Sequence, residues 1–265
     1  MSVIVFASSK GGCGKSTSAL LLSTELAYRG LKVTLIDADP NAALLGWQDD
    51  GGKAENLNII PSNEANILSD IEKSEKESDF VIVDLEGSAN LCVAYAMSLS
   101  DLVIIPAKRS KFDSKETIKT LNLVAQQSKA IGRKISYSVL MTQTHPSVRS
   151  EGLRATLDSL TKNKINYFHT EIYEREVLRL IVDKSTTLRD LKIFVLKPHQ
   201  MIARKKALEN SADFAAEVLE KIANLSKKKS TPRKAVKKKA QAKNNKKPAA
   251  KKKTSAKTTK SKRAA

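Results

Sequence analysis

The sequence predicts an α/β protein with a mostly parallel twisted sheet flanked by helices, followed by a disordered Lys-rich C-terminal tail. Two observations support this prediction. Continuous apolar runs of strand length alternate with helical patterns over residues 1–225, as in parallel sheets that are covered on both faces. Residues 226–265 contain many lysines, no acidic residue and too few large apolar residues to form a core. We therefore divide the chain into a folded domain over 1–225 and a tail over 226–265.

Strands and helices are predicted in alternation along the domain. Each predicted strand is a short apolar run, and each predicted helix places apolar residues three or four positions apart. Gly30 ends the first helix, and residues 147–225 have a mainly helical pattern that ends in a helix over 211–225. Parallel sheets bind ligands at the carboxyl ends of their strands, so the loops after the strands are the candidate site. The predicted strands are 3–7, 32–36, 57–60, 80–83, 102–105 and 138–141, and the other predicted helices are 16–29, 64–77, 89–99 and 114–131.

The loop after the first strand carries the strongest motif. It is close to the phosphate-binding pattern G-x-x-x-x-G-K-[ST], except that Ser9 replaces the first glycine. Glycines let backbone N–H groups turn inward around phosphate oxygens, and the following helix adds the positive end of its dipole. We expect a P-loop NTPase in which Lys15 contacts the β- and γ-phosphates and Ser16 ligates Mg²⁺. The nucleotide-binding residues are Gly11, Gly12, Cys13, Gly14, Lys15, Ser16 and Thr17.

A second lysine, Lys10, makes the motif more specific. The pattern K-G-G-x-G-K-[ST]-T over residues 10–17 resembles the deviant Walker A motif of the ParA/MinD family of dimerising ATPases, and the D-L-E-G segment at 84–87 resembles that of short plasmid-type ParA proteins. The resemblance implies ATP and Mg²⁺ as cofactors and a homodimer that forms with ATP. It also implies that Lys10 reaches across the dimer interface to the other subunit's phosphates, where a cation offsets charge on the transferred phosphoryl group. Taken alone, Lys10 would be interpreted as a solvated loop lysine.

Two acidic loops extend the resemblance over most of the domain. The segment D-A-D-P-N at 37–41 resembles the family's D-x-D-P-Q, which implies that Asp39 positions the attacking water and that Asp37 organises the metal shell. An ordinary turn in which an Asp side chain binds its own backbone is the alternative. The fourth predicted strand ends in Asp84, as in a Walker B element, which implies that Asp84 holds Mg²⁺. We expect Glu86 to have a capping or turn role rather than to be a second catalytic acid.

The positive charge of the chain is concentrated in the tail. The net charge is +19, yet residues 226–265 contain 18 Lys and Arg and no Asp or Glu, whereas the domain is near neutral. Such a polycation neutralises phosphates and releases counterions, so we expect nonspecific DNA binding. An anionic membrane surface is a weaker alternative, because the tail lacks an aromatic or leucine stripe. The candidate DNA contacts are Lys227, Lys228, Lys229, Lys237, Lys238 and Lys239 in the tail and, by the family resemblance, Arg149, Arg175 and Arg179.

The remaining residues exclude other classes of function. Cys13 and Cys92 lie far apart without metal-ligand spacing, which argues against a disulfide framework or a zinc site and for a reduced, cytoplasmic protein. No apolar run approaches the roughly 18 residues of a membrane span. Three histidines have no acid or cysteine partner at catalytic or metal spacing, and we expect them to be surface or hydrogen-bonded side chains. They are His145, His169 and His199.

These observations predict a ParA-like DNA-partition ATPase associated with the nucleoid. Its dimer would bind DNA without sequence preference and release it on slow hydrolysis, stimulated by a ParB-like or other cargo-bound protein. The alternative is a positioning ATPase for a non-DNA cargo, such as a protein complex or the division machinery. A constitutive DNA-coating protein is disfavoured by the intact set of nucleotide-site residues, which are Lys10, Lys15, Ser16, Asp39 and Asp84.

Overall fold

The computed structural model describes residues 1–87, 90–108, 111–145, 151–191 and 196–228. In this part of the chain seven strands form one sheet, and helices cover both of its faces. The strands are β1 (Ser2–Phe6), β2 (Val33–Ala38), β3 (Leu57–Pro61), β4 (Phe80–Leu85), β5 (Leu102–Ala107), β6 (Tyr137–Thr144) and β7 (Ile172–Tyr173). The helices are α1 (Lys15–Tyr28), α2 (Ala43–Asp49), α3 (Ile67–Glu77), α4 (Leu91–Leu99), α5 (Lys111–Ile131), α6 (Glu151–Lys162), α7 (Glu176–Asp183) and α8 (Pro198–Lys228).

The sheet is parallel throughout. Its strand order is β3-β2-β4-β1-β5-β6-β7, and each neighbouring pair runs in the same direction. The predicted fold class is therefore confirmed for the domain. Because β1 lies between β4 and β5, the loop after β1 is bordered by the loops that follow these two strands. All of these loops leave the same edge of the sheet, which is where ligands of such folds bind.

Two apolar cores lie on the two faces of the sheet. Along β1, Ile4 and Phe6 face α1, α2, α7 and α8, whereas Val3 and Val5 face α3, α4, α5 and α6. Successive side chains of a strand point to opposite faces, so a strand that is covered on both sides needs an unbroken apolar run. Burial of each such side chain contributes about 1.5–3 kcal/mol to stability. The apolar runs that predicted the strands thus have a direct physical cause.

The sequence missed one helix and one strand. The short helix α2 was not predicted, because its N-terminus is held from outside: the carboxylate of Asp37 accepts the backbone N–H groups of Leu44 and Leu45 at 2.9 and 3.1 Å. The described residues of 147–225 are mainly helical, as predicted, but they also contain β7, which pairs with β6 in parallel. A strand of two residues is too short to show an alternating pattern.

The last helix is longer than predicted. It runs over Pro198–Lys228 rather than 211–225, and so it includes three residues that we assigned to the tail. Proline suits the first turn of a helix, and the side chain of Gln200 accepts the N–H of Lys197 at 2.9 Å, as in half of a capping box. Within the described ranges, no helix is long and apolar enough to cross a membrane. The remainder of the predicted tail lies outside the described residues.

Candidate nucleotide-binding site

Three strand ends bring the predicted site residues together. In the parallel register, Asp37 of β2 is paired with Asp84 of β4, and Asp84 is paired with Phe6 of β1. Neighbouring strands lie about 4.8 Å apart, so Asp84 adjoins the loop that leaves β1 directly after Phe6, and Asp37 lies one strand further along the same edge. The topology therefore places the phosphate-binding motif and both candidate metal acids at one edge of the sheet.

The glycines of the loop have the backbone conformation that phosphate binding requires. Gly12 and Gly14 have φ angles of 69° and 89°, in the left-handed region that residues with a Cβ rarely adopt. Gly14 is also the N-cap of α1, and no side chain of the described residues caps this helix. The first N–H groups of α1 are therefore available to an anion at the positive end of the helix dipole. Lys15, the first residue of the helix, is buried at 6% exposure.

Neighbouring elements hold the phosphate loop tightly. The hydroxyl of Thr120 on α5 lies 3.0 Å from both the N–H and the hydroxyl of Ser9, so the serine that replaces the usual glycine has a hydrogen-bond partner. On the other side, a Cβ added to Gly87 would lie 3.1 Å from the nitrogen of Gly11. A larger residue at that position would require the loop after β4 or the phosphate loop to shift by a few tenths of an ångström. The sequence motifs gave no role to Thr120 or Gly87, because the roles of these residues depend on tertiary contacts.

Asp84 has the environment of a metal ligand. Its side chain is fully buried, and neither carboxylate oxygen completes a hydrogen bond of good geometry within the described residues. Burial raises the pKa of Asp84 to about 7, while the nearby Ser16 hydroxyl and the Lys15 ammonium lower it part of the way. A buried carboxylate without donors is costly unless a cation neutralises it. An oxygen donor beside the hydroxyl of Ser16 suits Mg²⁺, so these residues fit the predicted ion.

Asp37 and Asp39 organise the loop after β2. In addition to the two N–H groups of α2, the carboxylate of Asp37 accepts the N–H of Asp39 at 3.3 Å. Burial raises the pKa of Asp37, and these backbone hydrogen bonds lower it part of the way. Asp39 is half-buried, and its Oδ1 accepts the backbone N–H and the side-chain amide of Asn41 at 2.9 and 2.8 Å. These contacts agree with the prediction that Asp37 organises the metal shell. They agree equally with the alternative, an ordinary turn in which an Asp side chain binds its own backbone.

A cleft of about 120 Å³ opens beside the N-terminus of α1. Its other wall is formed largely by residues 172–179, from β7 to the first turns of α7. The guanidinium of Arg175 lies 5.4 Å from the ring centre of Tyr173, and Arg179 forms an ion pair with Glu174. The cleft extends the candidate site beyond the phosphate loop to a surface with aromatic, apolar and charged side chains.

Comparison with known proteins identifies the family. The family model described as VirC1 protein matches residues 1–229. The chain is also 36% identical over 223 residues to a curated protein named Protein ParA from Rhizobium radiobacter, an alignment that covers 84% of this chain and 98% of that protein. The chain belongs to the VirC1 family of ParA/MinD-type ATPases. This finding confirms the resemblance that the motifs of residues 10–17, 37–41 and 84 indicated.

Two further proteins are similar to this chain, one in sequence and one in structure. Maintenance of carboxysome distribution protein A from Halothiobacillus neapolitanus is 27% identical over 191 residues, covering 71% of this chain and 87% of that protein. The solved structure of Cyanthece apo McdA has a TM-score of 0.66 at 20% identity and covers 83% of this chain and 99% of that chain. At this identity the structural similarity shows the fold of a ParA/MinD-type ATPase.

The predicted DNA contacts that the structure describes lie on two elements of the fold. Arg175 and Arg179 line the cleft beside the phosphate loop. Lys227 is exposed near the end of α8, and Lys228 is the residue at which the helix ends. The assignment of all these residues to DNA stays a prediction. The other candidates lie outside the described residues: Arg149, Lys229, Lys237, Lys238 and Lys239.

Glu86 and Cys13 make local contacts near the phosphate loop. The carboxylate of Glu86 accepts the side-chain amide of Asn90 at 3.0 Å, and Asn90 caps α4 by accepting the N–H of Val93. This contact agrees with a turn role for Glu86. Cys13 is buried at 1% exposure, and its thiol contacts the carbonyl oxygen of Lys10 at 3.4 Å. Within the described residues, no cluster of side chains could form a separate metal site.

Proposed function

We propose that this ParA/MinD-type ATPase is a DNA-partition ATPase. It dimerises around bound ATP, binds DNA without sequence preference in that state, and releases the DNA when it hydrolyses the nucleotide. The observation that carries the proposal is the position of a fully buried carboxylate, that of Asp84, beside a phosphate loop that contains both Lys10 and Lys15. The family membership and the relative named Protein ParA support the partition role.

The proposed mechanism begins with binding of the triphosphate. The N–H groups at the start of α1 and the ammonium of Lys15 bind the phosphate oxygens, and the cleft along residues 172–179 takes the nucleoside. Ser16 and Asp84 would hold Mg²⁺, and Asp37 supports them by anchoring the adjacent loop. The bound ion supplies positive charge that stabilises the phosphoryl group during transfer.

Hydrolysis needs a water that is positioned for attack and a cation that offsets charge on the transferred phosphoryl group. Asp39 orients the water, and its hydrogen bonds with Asn41 fix the carboxylate for that task. Lys10 contributes its charge across the dimer interface, so hydrolysis occurs only in the dimer. A protein bound to the cargo, such as a ParB-like protein, then stimulates hydrolysis, and the dimer loses its affinity for DNA.

DNA binding combines a switched part with a permanent part. The dimer presents basic side chains, for which Arg149, Arg175 and Arg179 are the candidates. The 18 basic residues of 226–265 add a tether that the ATP cycle does not control, so weak, salt-sensitive DNA binding remains with ADP. Because the family model ends at residue 229, most of this tether is an addition to what the family shares. The protein is therefore expected to remain on the nucleoid.

The second candidate function is the positioning of a non-DNA cargo along the nucleoid. Similarity to a protein named for the maintenance of carboxysome distribution favours it. The nucleotide cycle would be the same, and the stimulating partner would be bound to a protein assembly instead of to DNA. Isolation of proteins that stimulate ATP hydrolysis by this chain distinguishes the two functions, since only a partition system requires a partner that also binds a specific DNA site.

The first test of the proposed function compares Lys10→Ala with Lys53→Ala, an exchange at an exposed loop lysine. Dimer formation with ATP is measured by light scattering, ADP binding by calorimetry, and phosphate release in the presence of DNA. We expect Lys10→Ala to bind ADP like the wild type and to lose dimerisation or reduce turnover at least about a hundredfold, as for loss of an arginine finger. Normal dimerisation and turnover of Lys10→Ala would rule out the deviant-motif mechanism.

A further inference from the structure

The phosphate loop is held by the end of β6, whose Thr142 and Gln143 also line the cleft beside α1. The hydroxyl of Thr142 donates a hydrogen bond to the carbonyl oxygen of Cys13 at 2.7 Å. The side-chain amide of Gln143 donates to the carbonyl oxygen of Gly12 at 3.3 Å. Thr142 is 1% exposed, and its methyl-bearing carbon would lie 3.6 Å from a Cβ added to Gly14. Two consecutive residues of one strand therefore contact two consecutive peptide groups of the loop.

These contacts fix the direction of two backbone N–H groups of the loop. In a trans peptide the C=O of one residue and the N–H of the next point in opposite directions. A carbonyl of Cys13 that points to Thr142 turns the N–H of Gly14 the opposite way, and a carbonyl of Gly12 that points to Gln143 does the same for the N–H of Cys13. The two side chains thus orient two of the donors that form the anion-binding concavity.

An irregularity in β6 makes this arrangement possible. Successive side chains of a regular strand point to opposite faces, so Thr142 and Gln143 would not both reach the same loop. The pairing of β6 with β7 shifts register between Thr142 and Thr144, and Gln143 between them has a φ angle of 52°. Non-glycine residues adopt this left-handed conformation uncommonly, and such strain persists where the surrounding structure enforces it. Here the bulge directs both side chains to the phosphate loop.

We propose that Thr142 and Gln143 are positioning residues that orient the N–H groups of Cys13 and Gly14 toward the nucleotide phosphates. The inference rests on the nucleotide binding of the proposed function and assigns a role to two residues that the motifs do not contain. Without these hydrogen bonds, the peptide groups of the loop become ordered only when the phosphates bind. The conformational freedom lost at that step lowers the affinity for the nucleotide. Nucleotide affinity is therefore set in part by the end of β6.

The test uses Thr142→Val, which removes the hydroxyl and keeps the shape of the side chain. The matched control is Thr144→Val on the same strand, because Thr144 is fully buried and its hydroxyl has no hydrogen-bond partner among the described residues. Calorimetry with ADP gives the affinity of the full-length protein, and a thermal melt without nucleotide reports folding. We expect Thr142→Val to weaken ADP binding about tenfold, Thr144→Val to leave it within about twofold, and Thr142→Ser to restore it.

Gln143→Asn supplies a second, independent variant. Asparagine tolerates the left-handed conformation, but its amide is one methylene too short to keep the 3.3 Å contact with the loop. We expect ADP binding to weaken about threefold, with an unchanged melting temperature. The proposal is overturned if Thr142→Val binds ADP as tightly as Thr144→Val, or if Thr142→Ser fails to restore binding to a folded protein. A wild-type protein that does not bind ADP would instead refute the proposed function itself.

Discussion

The buried carboxylate of Asp84 leads to a specific prediction for Asp84→Asn. Both oxygens of this side chain are buried without a completed hydrogen bond in the described structure, and the nucleotide-free protein must either protonate the group or bear a buried charge that Lys15 offsets only in part. Burial raises its pKa from 3.8 to about 7. Asparagine has nearly the same shape and does not titrate. The exchange therefore removes a pH-dependent cost of folding together with the proposed metal ligand.

The magnitude follows from the two pKa values. Between pH 4 and pH 7 the folded protein retains a proton on Asp84 that the unfolded chain has lost, so the free energy of unfolding falls as the pH rises. The slope reaches about 1.4 kcal/mol per pH unit, and the full shift from 3.8 to about 7 corresponds to about 4 kcal/mol. About 3 kcal/mol of this cost develops between pH 5 and pH 8. Asp84→Asn should lack this component and gain stability relative to the wild type over that range.

The assay is urea unfolding of both proteins, without nucleotide, at intervals from pH 5 to pH 8. The difference in unfolding free energy between variant and wild type cancels the titration of the other groups. Asp49→Asn, at an exposed position of α2, provides the matched control for the loss of a carboxylate. With ATP and Mg²⁺ the wild type should gain stability that Asp84→Asn does not gain. A difference that stays constant with pH would refute the assignment of a raised pKa to Asp84.

Two further predictions concern contacts that the motif does not contain. Gly87→Ala would bring a Cβ to 3.1 Å from the nitrogen of Gly11, so we expect weaker ADP binding, measured by calorimetry, with little loss of thermal stability. Unchanged ADP affinity would show that the loop after β4 can move away. Trp47→Phe removes the hydrogen bond from the indole N–H to the carbonyl oxygen of Ile181 at 2.9 Å and should cost about 1 kcal/mol in urea unfolding. A loss below a few tenths of a kcal/mol would contradict a structural role for this link between α2 and α7.

The sequence predicted the parts of the site that lie within one strand and its following loop. One continuous segment contains the apolar run of β1, the glycines after it and Lys15 at the start of α1. The physical reason for each part of this pattern lies within the segment itself. Asp84 was recognised for the same reason, since an acid at the end of a buried apolar strand is itself a local pattern. The family comparison confirmed the resemblance that these patterns indicated.

The parts that the sequence did not predict depend on contacts between distant segments. Thr142 and Gln143 are more than 120 positions from the loop that they hold, at separations of 129 and 131 residues. The helix α2 is anchored by Asp37 rather than by its own residues, and β7 is too short for any pattern. The rule that ligands bind at the carboxyl ends of parallel strands pointed to the end of β6, but not to the role of its side chains.

We propose that ATP controls DNA binding by the folded part of the protein. The measurement that tests it most directly is DNA binding by residues 1–228, which end where α8 ends, with ATP and with ADP across a salt titration. We predict binding with ATP only for this fragment, and additional weak binding with ADP, lost at high salt, for the full chain. No DNA binding by the fragment with either nucleotide, or equal binding with ATP and with ADP, would contradict ATP control of the folded part.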